Sequence, residues 1–271
     1  MKQHLVKLLL SAATATLLLG CTNSEPQHNT MQADSQWRSL FNGKNLDGWT
    51  PKFAGYAAGV NYKNTYRVED GLLTVSYDDW QDFDNKAYGH LFTNESFSNY
   101  RIRVEYRFIG EQVVDSPKMK WAFRNNGVMI HSQPVASMKL DQSFPLSAEA
   151  QLLGGDGTEE RQTANLCSPS TNIVKDGKLI KKHCLKSSSK TYHGDQWVWF
   201  EAEVSGDGPI KHFINGELVF EFDELQADPE SEDGKTWLEN GNPLKITQGQ
   251  VSLQAETHPI QFRRIEIKAL N

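Results

Sequence analysis

The sequence predicts an all-β protein, an antiparallel β-sandwich, and three features of the chain favour this fold class. Short runs of alternating apolar and polar residues recur from residue 36 onward, bounded by Gly, Asn, Asp and Pro. Asn-Gly and Asp-Gly pairs stand between several of these runs, where tight hairpin turns need them. No stretch with helical periodicity is longer than about three turns. Strands spaced along the whole chain in this way are typical of two packed antiparallel sheets.

The first 20 residues are predicted to be a targeting segment and not part of the fold. Lys2 and Lys7 precede an apolar stretch that is too short and too interrupted for a good membrane span, and Cys21 follows it. This pattern resembles the lipobox of bacterial lipoproteins and predicts a signal peptide over residues 1–20, with the lipid on Cys21. The alternative is an ordinary secretory signal followed by a chance cysteine.

The residues after the signal predict where the domain starts and where the protein resides. Residues 21–35 lack apolar periodicity and are expected to form a flexible tether, so residues 36–271 form a single domain. Thr22 is not Asp, which by resemblance to lipoprotein sorting rules favours the outer membrane. We therefore expect a lipid-anchored protein of the bacterial cell envelope that faces the periplasm or the cell surface.

Composition excludes several classes of protein. The chain has 271 residues, of which 38% are hydrophobic and 23% charged, so intrinsic disorder and a coiled coil are excluded. The formal net charge is −6, and it becomes −8 once the two positive charges of Lys2 and Lys7 are removed with the signal. Nucleic acid is therefore not an expected partner, because phosphate binding needs a basic surface.

The clearest strands lie in the middle of the chain. Residues 100–108 alternate apolar and charged side chains, which predicts one buried and one solvated face. Residues 198–204 alternate in the same way. A hairpin is predicted to follow, with Asn215-Gly216 as the turn between residues 211–214 and 217–222.

Three further predictions complete the reading of the fold. Asp176-Gly177 is predicted to be a turn between two short strands. The last strands are expected at residues 250–256 and 260–270. Residues 223–243 form an acidic insertion, which we interpret as a solvated surface loop because its acids lack the alternating spacing of a calcium loop.

Two cysteines remain after the lipidated one. Cys167 and Cys184 are expected to form a disulfide, because a single pair in an oxidising compartment is most simply explained that way. The rival interpretation is a zinc site that also uses His183, although no CxxC motif supports it. The common catalytic motifs GxSxG, HExxH and the P-loop are absent from the sequence.

The candidate site consists of polar residues on strands that otherwise read as apolar. If Val251 and Leu253 face the core, then Gln254 and Glu256 face the opposite side of the sheet. The full candidate set, from three segments of the chain, is Arg124, Asn126, His131, Glu149, Gln151, Gln254, Glu256 and His258. Carboxylates, amides, a guanidinium and imidazoles on one sheet face are suited to binding sugar hydroxyls and moving protons. The alternatives are solvated strand positions, a core histidine at His131, and a turn at Asn126-Gly127.

Four segments resemble one large bacterial family. The run from Leu40 to Trp49, LFNGKNLDGW, resembles the opening of the 3-keto-disaccharide hydrolase (3-keto-glycoside cleaving) family. Residues 149–155 resemble its central strand, and residues 261–267 resemble its closing strand. Asn165-Leu166-Cys167 with His183-Cys184 resembles a cysteine pair in one of its subgroups. The resemblance extends over roughly residues 37–271.

The resemblance implies a fold and an activity. The expected fold is a concanavalin A-like jelly roll with a ligand groove on its concave sheet, and the expected activity is cleavage of glycosides oxidised to a ketone at C3. A C3 ketone acidifies the proton at C2, so a base can remove that proton while a donor stabilises the enolate and the C1 oxygen leaves. From strand parity and chemistry, Glu149 is our first candidate for the base and His131 or Glu256 the next. Arg124 or His258 is the expected enolate stabiliser, while Asn126, Gln151 and Gln254 are expected to bind substrate.

Two other functions remain open at this point. A carbohydrate-binding lipoprotein without catalysis would need only the groove, its amides and a stacking platform such as Trp121, Trp197 or Trp199, most of which are expected to be core residues. A conventional endo-glucanase would need two carboxylates, and the strand of Glu149 carries no second one. Glu256 or Glu105 could supply it from a neighbouring strand.

A metal cofactor is possible but not required by the sequence. A divalent cation held by Glu149, His131, Glu256 or His258 could polarise the ketone, yet no spacing in the chain demands one. The expected partners are therefore a carbohydrate or oxidised glycoside and, through Cys21, a membrane.

Overall fold

Alternation of apolar and polar residues produces strands throughout the part of the chain that can be described. The computed structural model describes residues 36–83, 87–113 and 117–270. The predicted signal peptide, Cys21 and the tether over 21–35 lie outside these residues. Residues 35–271 cluster as one compact unit. No helix in the described ranges is long and apolar enough to cross a membrane.

Eighteen strands and one α-helix occur in the described residues. The strands are β1 (Arg38–Ser39), β2 (Trp49–Phe53), β3 (Tyr66–Glu69), β4 (Leu72–Val75), β5 (Gly89–Phe97), β6 (Tyr100–Phe108), β7 (Asn125–Ser132), β8 (Ala148–Leu153), β9 (Asn165–Cys167), β10 (Thr171–Lys175), β11 (Lys178–Ile180), β12 (Cys184–Leu185), β13 (Val198–Val204), β14 (Ile210–Ile214), β15 (Glu217–Phe222), β16 (Glu224–Ala227), β17 (Gly249–Ala255) and β18 (Ile260–Ala269). The helix α1 is Glu232–Glu239, and short 3₁₀ segments are Tyr62–Asn64, Pro117–Ala122 and Val135–Ser137.

Two large antiparallel sheets form the sandwich, as predicted. Sheet I has the order β15-β14-β13-β6-β18-β4-β3, with β1 added beside β18. Sheet II has the order β12-β9-β8-β7-β17-β5-β2. A small third sheet has the order β11-β10-β16. The predicted strands at 100–108 and 198–204 are β6 and β13, and the Asn215-Gly216 hairpin joins β14 to β15.

The core lies between sheets I and II. On β6 the apolar residues Ile102 and Val104 are fully buried, while on β17 Val251 and Leu253 are fully buried from the other side. The hydroxyl of Tyr66 on β3 donates to the backbone oxygen of Leu253 at 2.9 Å and so links the two sheets. Burial of apolar surface from both sheets is the main source of stability.

The acidic insertion is more ordered than predicted. Residues 223–243 contain strand β16, which pairs with β10, and helix α1. The Ser231 side chain caps the helix by accepting a hydrogen bond from the Gly234 amide at 3.1 Å. Leu225 and Ala227 of β16 are buried. The prediction of a plain surface loop was therefore wrong, because alternate positions of a short strand supply the apolar anchors.

The predicted disulfide is present at one edge of sheet II. Cys167 on β9 and Cys184 on β12 face each other across the two strands, and their sulfur atoms are bonded. His183 lies beside them, with ligand atoms of the three residues within 4.8 Å of one another. The zinc alternative is not supported, since both sulfur atoms are already bonded to each other.

Two of the tryptophans considered as sugar platforms lie on the outer face of sheet I. Arg107 and Arg263 stack on Trp197 at 4.7 and 4.2 Å, and Arg103 stacks on Trp199 at 5.2 Å. They are half-buried by these cation–π contacts and are neither core residues nor part of sheet II.

Candidate active site on the outer face of sheet II

One face of sheet II is polar although it is almost completely buried. The apolar residues of β8 and β17 turn toward sheet I, so the alternate positions point away from it. Cross-strand pairing aligns these alternate positions into a row perpendicular to the strands. In the strand order β2, β5, β17, β7, β8 and β9, this row is Lys52, His90, Gln254, Gly127, Gln151 and Asn165.

Glu149 lies on the same face of β8, two residues before Gln151. Its Cα pairs with Met129 of β7 and with Cys167 of β9. Gly127 has no side chain, and the carboxyl group of Glu149 occupies the space beside its Cα. The side chain of Glu149 is held close to the surface of β7, with only 6% of the residue exposed.

Glu256 completes a pair of buried carboxyl groups. It follows the last residue of β17 and is 4% exposed. Burial raises the pKa of both Glu149 and Glu256, and the negative charge of Glu149 raises the pKa of Glu256 further. Two carboxyl groups that influence each other in this way hold protons more tightly than ordinary glutamates, so they are suited to proton transfer near neutral pH.

Arg161 is a cation beside this pair that sequence reasoning missed. Its guanidinium donates to the backbone oxygens of Trp121, Phe123 and Gly154, which fix its position. Burial lowers the pKa of Arg161 to about 10, while the charges of Asp156 and Glu256 raise it. A half-buried guanidinium close to a carboxyl group can stabilise negative charge there. Arg161 lies in the irregular segment between β8 and β9, where no strand periodicity pointed to it.

Two tyrosines also lie near Glu256. The Tyr77 hydroxyl accepts a hydrogen bond from the Thr257 amide at 2.8 Å, directly after Glu256 in the chain. Burial raises the pKa of Tyr77 and Tyr88, and the charge of Glu256 adds to both shifts. Both phenols therefore stay protonated and can serve only as neutral hydrogen-bonding groups.

Arg124 and His258 lie at the end of sheet II where β7 begins and β17 has ended. The Arg124 guanidinium donates to Asp195 at 3.0 Å, while its Nε and Nη1 are buried without a partner in the described residues. The His258 ring packs edge-on against Phe108 and Phe123. Burial lowers the pKa of His258 to about 3, and the charges of Arg124 and Arg161 contribute to the shift. His258 is therefore neutral, and both arginines lie close to it.

Two of the candidate residues do not share the polar face. Asn126 pairs with Leu152, so it has the core-facing parity of Val128, and its amide donates to the backbone oxygen of Gln254 at 2.6 Å. Its placement with the site residues was wrong, because a single residue step along a strand reverses the face. The alternative of an Asn126-Gly127 turn is also wrong, since both residues lie within β7.

His131 turns toward sheet I. Its ring packs edge-on against Tyr100 of β6, with the ring centroids 5.8 Å apart, and it is fully buried. Beside Gln250 and Ser252 the pairing of β7 with β17 shifts by one residue, and His131 has a φ of 52°. This bulge breaks the alternation on which the prediction depended. His131 is therefore a core histidine and not a base on the polar face.

Several polar atoms of the site have no partner. The ring nitrogens of His90, both amide atoms of Gln254 and the Oε2 of Glu256 are buried without a hydrogen bond in the described ranges. Buried polar groups are nearly always bonded in native proteins, so a cluster of exceptions points to a ligand or to water. By contrast, Gln151 accepts a hydrogen bond from Asn165 at 3.3 Å, and that asparagine also donates to the oxygen of Gln162.

The residues proposed as a metal set do not converge. Among the described residues, no three of Glu149, His131, Glu256 and His258 form a group that could hold a metal ion. The possible second acid Glu105 lies on sheet I, where both its oxygens accept hydrogen bonds from Arg263 at 2.7 Å. Glu256 is thus the carboxyl group that accompanies Glu149.

Lys52 and His90 are the other residues that the sequence did not reveal. They face each other on β2 and β5 and are 2% and 1% exposed. Each lies beside apolar residues that read as core, so the one available signal was a polar residue next to an apolar segment. Trp121 is the one predicted platform near the site, since it is half-exposed and its carbonyl holds Arg161.

Comparison with known proteins gives a consistent answer. A family model described as the 3-keto-alpha-glucoside-1,2-lyase-like domain matches residues 36–268. Two solved structures from Parabacteroides distasonis ATCC 8503, both provisionally described as glycosyl hydrolases, have TM-scores of 0.50. The first has 20% sequence identity and aligns over 87% of this chain and 94% of that chain, and the second has 17% identity over 87% and 100%. No curated protein matches the sequence.

The comparisons confirm the predicted fold and identify a carbohydrate-active protein. At 17–20% identity the two Parabacteroides structures show only that the fold is shared, and that fold is the antiparallel β-sandwich. The family model covers nearly all the described residues, including both strands that carry the carboxyl pair. The chain therefore belongs to the 3-keto-alpha-glucoside-1,2-lyase-like domain family.

Proposed function

We propose that this protein is a lipid-anchored enzyme of the cell envelope that cleaves 3-keto-glycosides. The reaction removes the proton at C2, expels the C1 substituent and, after water adds to the double bond, amounts to hydrolysis. The observation that carries the proposal is the pair Glu149 and Glu256, two buried carboxyl groups with raised pKa on a face with unsatisfied polar atoms. The family match supports the class of substrate.

Glu149 is the proposed base. A pair of carboxyl groups that shares one proton offers a carboxylate to take the C2 proton and a carboxylic acid to protonate the leaving C1 oxygen. Glu149 retains slight exposure and its side chain lies over Gly127, so a substrate can approach it. Glu256, which is flanked by Arg161 and Tyr77, is then the proposed acid.

The enolate needs a donor at the C3 oxygen. Arg124 has two buried guanidinium nitrogens without a partner in the described ranges, and it lies close to His258. A preorganised cation in a buried site stabilises a developing oxyanion more strongly than it would in water. Arg124 is therefore the proposed enolate stabiliser, and neutral His258 is a weaker candidate for the same task.

A conventional glycosidase is the second candidate, and one observation favours it. The second carboxyl group that is missing from the strand of Glu149 is supplied by Glu256 from the next strand but one in the sheet. Retaining and inverting glycosidases both use two such groups. A carbohydrate-binding protein without catalysis would need the same face but not the raised pKa values.

The deciding experiment compares a 3-keto-glucoside with its unoxidised parent and follows release of the leaving group, with and without EDTA. Release from the keto form alone is expected, and Glu149→Gln should lower it by roughly 10²- to 10⁴-fold while sugar binding persists. Equal release from the parent would make the protein a conventional glycosidase. Binding to both sugars without release from either would leave only a binding protein.

The location in the envelope depends on Cys21. The lipobox-like segment at the start of the chain supports lipid attachment at this residue. Expression of the full chain in a bacterium should place it in the membrane fraction, and Cys21→Ser should move it to the soluble fraction. Membrane association of the serine variant would contradict the anchor.

A further inference from the structure

On one side of the carboxyl pair, the side chains in the polar row of sheet II are hydrogen-bonded. On the other side, His90 and Gln254 lack hydrogen-bond partners among the described residues. Toward β9, Gln151 and Asn165 are bonded to each other, and Asn165 also accepts from the Ser187 amide at 2.9 Å. Toward β5 and β2, His90 and Gln254 have no hydrogen bonds to their side chains in the described residues. A ligand that passes the carboxyl pair therefore has unmet hydrogen-bonding groups on the β5 and β2 side only.

We infer that Lys52, His90 and Gln254 form a subsite that binds the hydroxyl groups of the leaving group. This inference rests on the proposed function for the position of the reacting sugar. Gln254 precedes Glu256 by two residues on the same face, so the near end of the subsite adjoins the carboxyl pair. His90 lies one strand and Lys52 two strands farther away, a distance of about 10 Å from Gln254.

The donor and acceptor set fits hydroxyl groups. Neutral His90 has one donor and one acceptor nitrogen, and the amide of Gln254 has two donors and an acceptor oxygen. A hydroxyl group both donates and accepts, so vicinal hydroxyls can satisfy all these atoms. An anionic group only accepts, and it would leave the acceptors of His90 and Gln254 unpaired.

Lys52 anchors the far end of the subsite. Its ammonium donates to the backbone oxygens of Phe53 and Leu140 at 2.7 and 2.9 Å, which leaves one N–H for a ligand. Burial lowers its pKa, while the charge of Asp141 raises it. Burial lowers the pKa of His90 and the charge of Lys52 lowers it further, so the imidazole next to Lys52 stays neutral.

Phe144 borders the subsite beside His90. Its ring lies 5.7 Å from the His90 ring and 4.8 Å from the Tyr88 ring. An aromatic ring beside polar side chains is suited to a sugar, whose C–H groups can pack on the ring while its hydroxyls bond to the polar groups. The structure thus favours a polyhydroxylated leaving group over a flat aromatic one.

The test uses two substrates that differ only in the leaving group. One is a 3-keto-disaccharide, and the other is the methyl glycoside of the same 3-keto-sugar, which lacks the second set of hydroxyls. His90→Phe removes both ring nitrogens but keeps a ring of similar size. We expect this variant to lower kcat/KM for the keto-disaccharide by roughly tenfold or more, and to lower that for the methyl glycoside by a much smaller factor.

The control variant is His212→Phe. His212 is likewise a fully buried histidine among aromatic rings, but it lies between the sheets against Phe200 and Phe222. It should change kcat/KM for both substrates by the same factor. Lys52→Met supplies a second subsite variant if His90→Phe does not fold, and it should show the same selective loss.

Direct binding separates this inference from the proposed function. Calorimetry with the unoxidised parent disaccharide needs no catalysis, and binding that His90→Phe weakens would support the subsite even if no keto-glycoside were cleaved. Equal kcat/KM for the two substrates, or equal losses for both in His90→Phe, would overturn the inference. Preference for an aromatic or a carboxylated leaving group over a sugar would also overturn it.

Discussion

A Cβ atom placed on Gly127 would lie 2.7 Å from the Oε1 of Glu149, closer than real Cβ contacts come. The two residues lie on neighbouring strands, and the carboxyl group occupies the space that a side chain at position 127 would fill. The position of the proposed base therefore depends on the absence of a side chain on β7. This explains why a glycine is placed inside a strand, where it weakens pairing.

Gly127→Ala should impair catalysis by moving Glu149. Because the carboxyl group has to shift to avoid the new methyl group, we expect kcat on a 3-keto-glucoside to fall by up to roughly 10²-fold. Gly208→Ala is the matched control, since its nearest contact would be an ordinary 3.4 Å from Ser205. Steady-state kinetics on both variants checks this, and unchanged kcat in Gly127→Ala would show that the base is elsewhere.

Glu149→Gln should stabilise the protein although it lowers activity. A carboxyl group with a raised pKa in the folded state binds its proton more tightly there than in the unfolded chain. The folded state therefore loses stability as the pH rises above 4.5, by up to about 1.4 kcal/mol per pH unit until the raised pKa is reached. Glutamine carries no charge and avoids this loss.

The measurement for that variant is the difference in Tm between Glu149→Gln and the unaltered protein across pH. It should be near zero below pH 4.5 and positive by several degrees at neutral pH, at roughly 2–4 °C per kcal/mol. Glu105→Gln is a control with the opposite sign, because Glu105 is ion-paired with Arg263. A Glu149→Gln variant that is less stable at neutral pH would contradict the burial of an unpaired carboxyl group.

Buried neutral histidines should make the protein sensitive to acid. Burial lowers the pKa of His90 and His258 to about 3 and of His131 and His212 to about 4. Each of these pKa values lies below the unfolded value of 6.5. The stability that each neutral histidine contributes is therefore complete above pH 6.5 and is lost as the pH falls below 6.5. Between pH 6.5 and 4.5, acidification loses stability through the four histidines and gains it through Glu149 and Glu256. The four histidines outweigh the two carboxyl groups, so the free energy of unfolding falls.

Unfolding in urea at several pH values measures this loss. Each histidine contributes a slope of up to about 1.4 kcal/mol per pH unit below pH 6.5, so the free energy of unfolding should decrease steeply there. His212→Phe removes one of the four groups without touching the polar face, and it should make the slope shallower. A stability that is flat from pH 7 to pH 5 would refute the prediction.

The fold could be predicted from the sequence because strand alternation is a local signal. Residues 100–108 show it without interruption and form β6 with the same bounds. The site could be predicted only in part, since side-chain direction depends on register. Glu149 lies on the polar face and Glu256 lies close to it, whereas a bulge turned His131 toward Tyr100. Arg161 has no periodic signal at all, because it lies in an irregular segment that only the tertiary fold brings to Glu256.

The disulfide at the edge of sheet II should be important for stability. It joins Cys167, whose Cα pairs with Glu149, to the two-residue strand β12 at the edge of sheet II. With a sequence separation of 17, the bond should contribute on the order of 3 kcal/mol by restricting the unfolded chain. Replacing both cysteines by alanine should therefore lower Tm by roughly 6–12 °C.

Calorimetry of the double variant, with the unaltered protein in a thiol reductant as the comparison, checks the value. The double variant and the reduced protein should lose stability to a similar extent. A double variant whose Tm stays within roughly 2 °C of the unaltered protein in the same buffer would show that the pairing of β9 with β8 holds this edge without the disulfide.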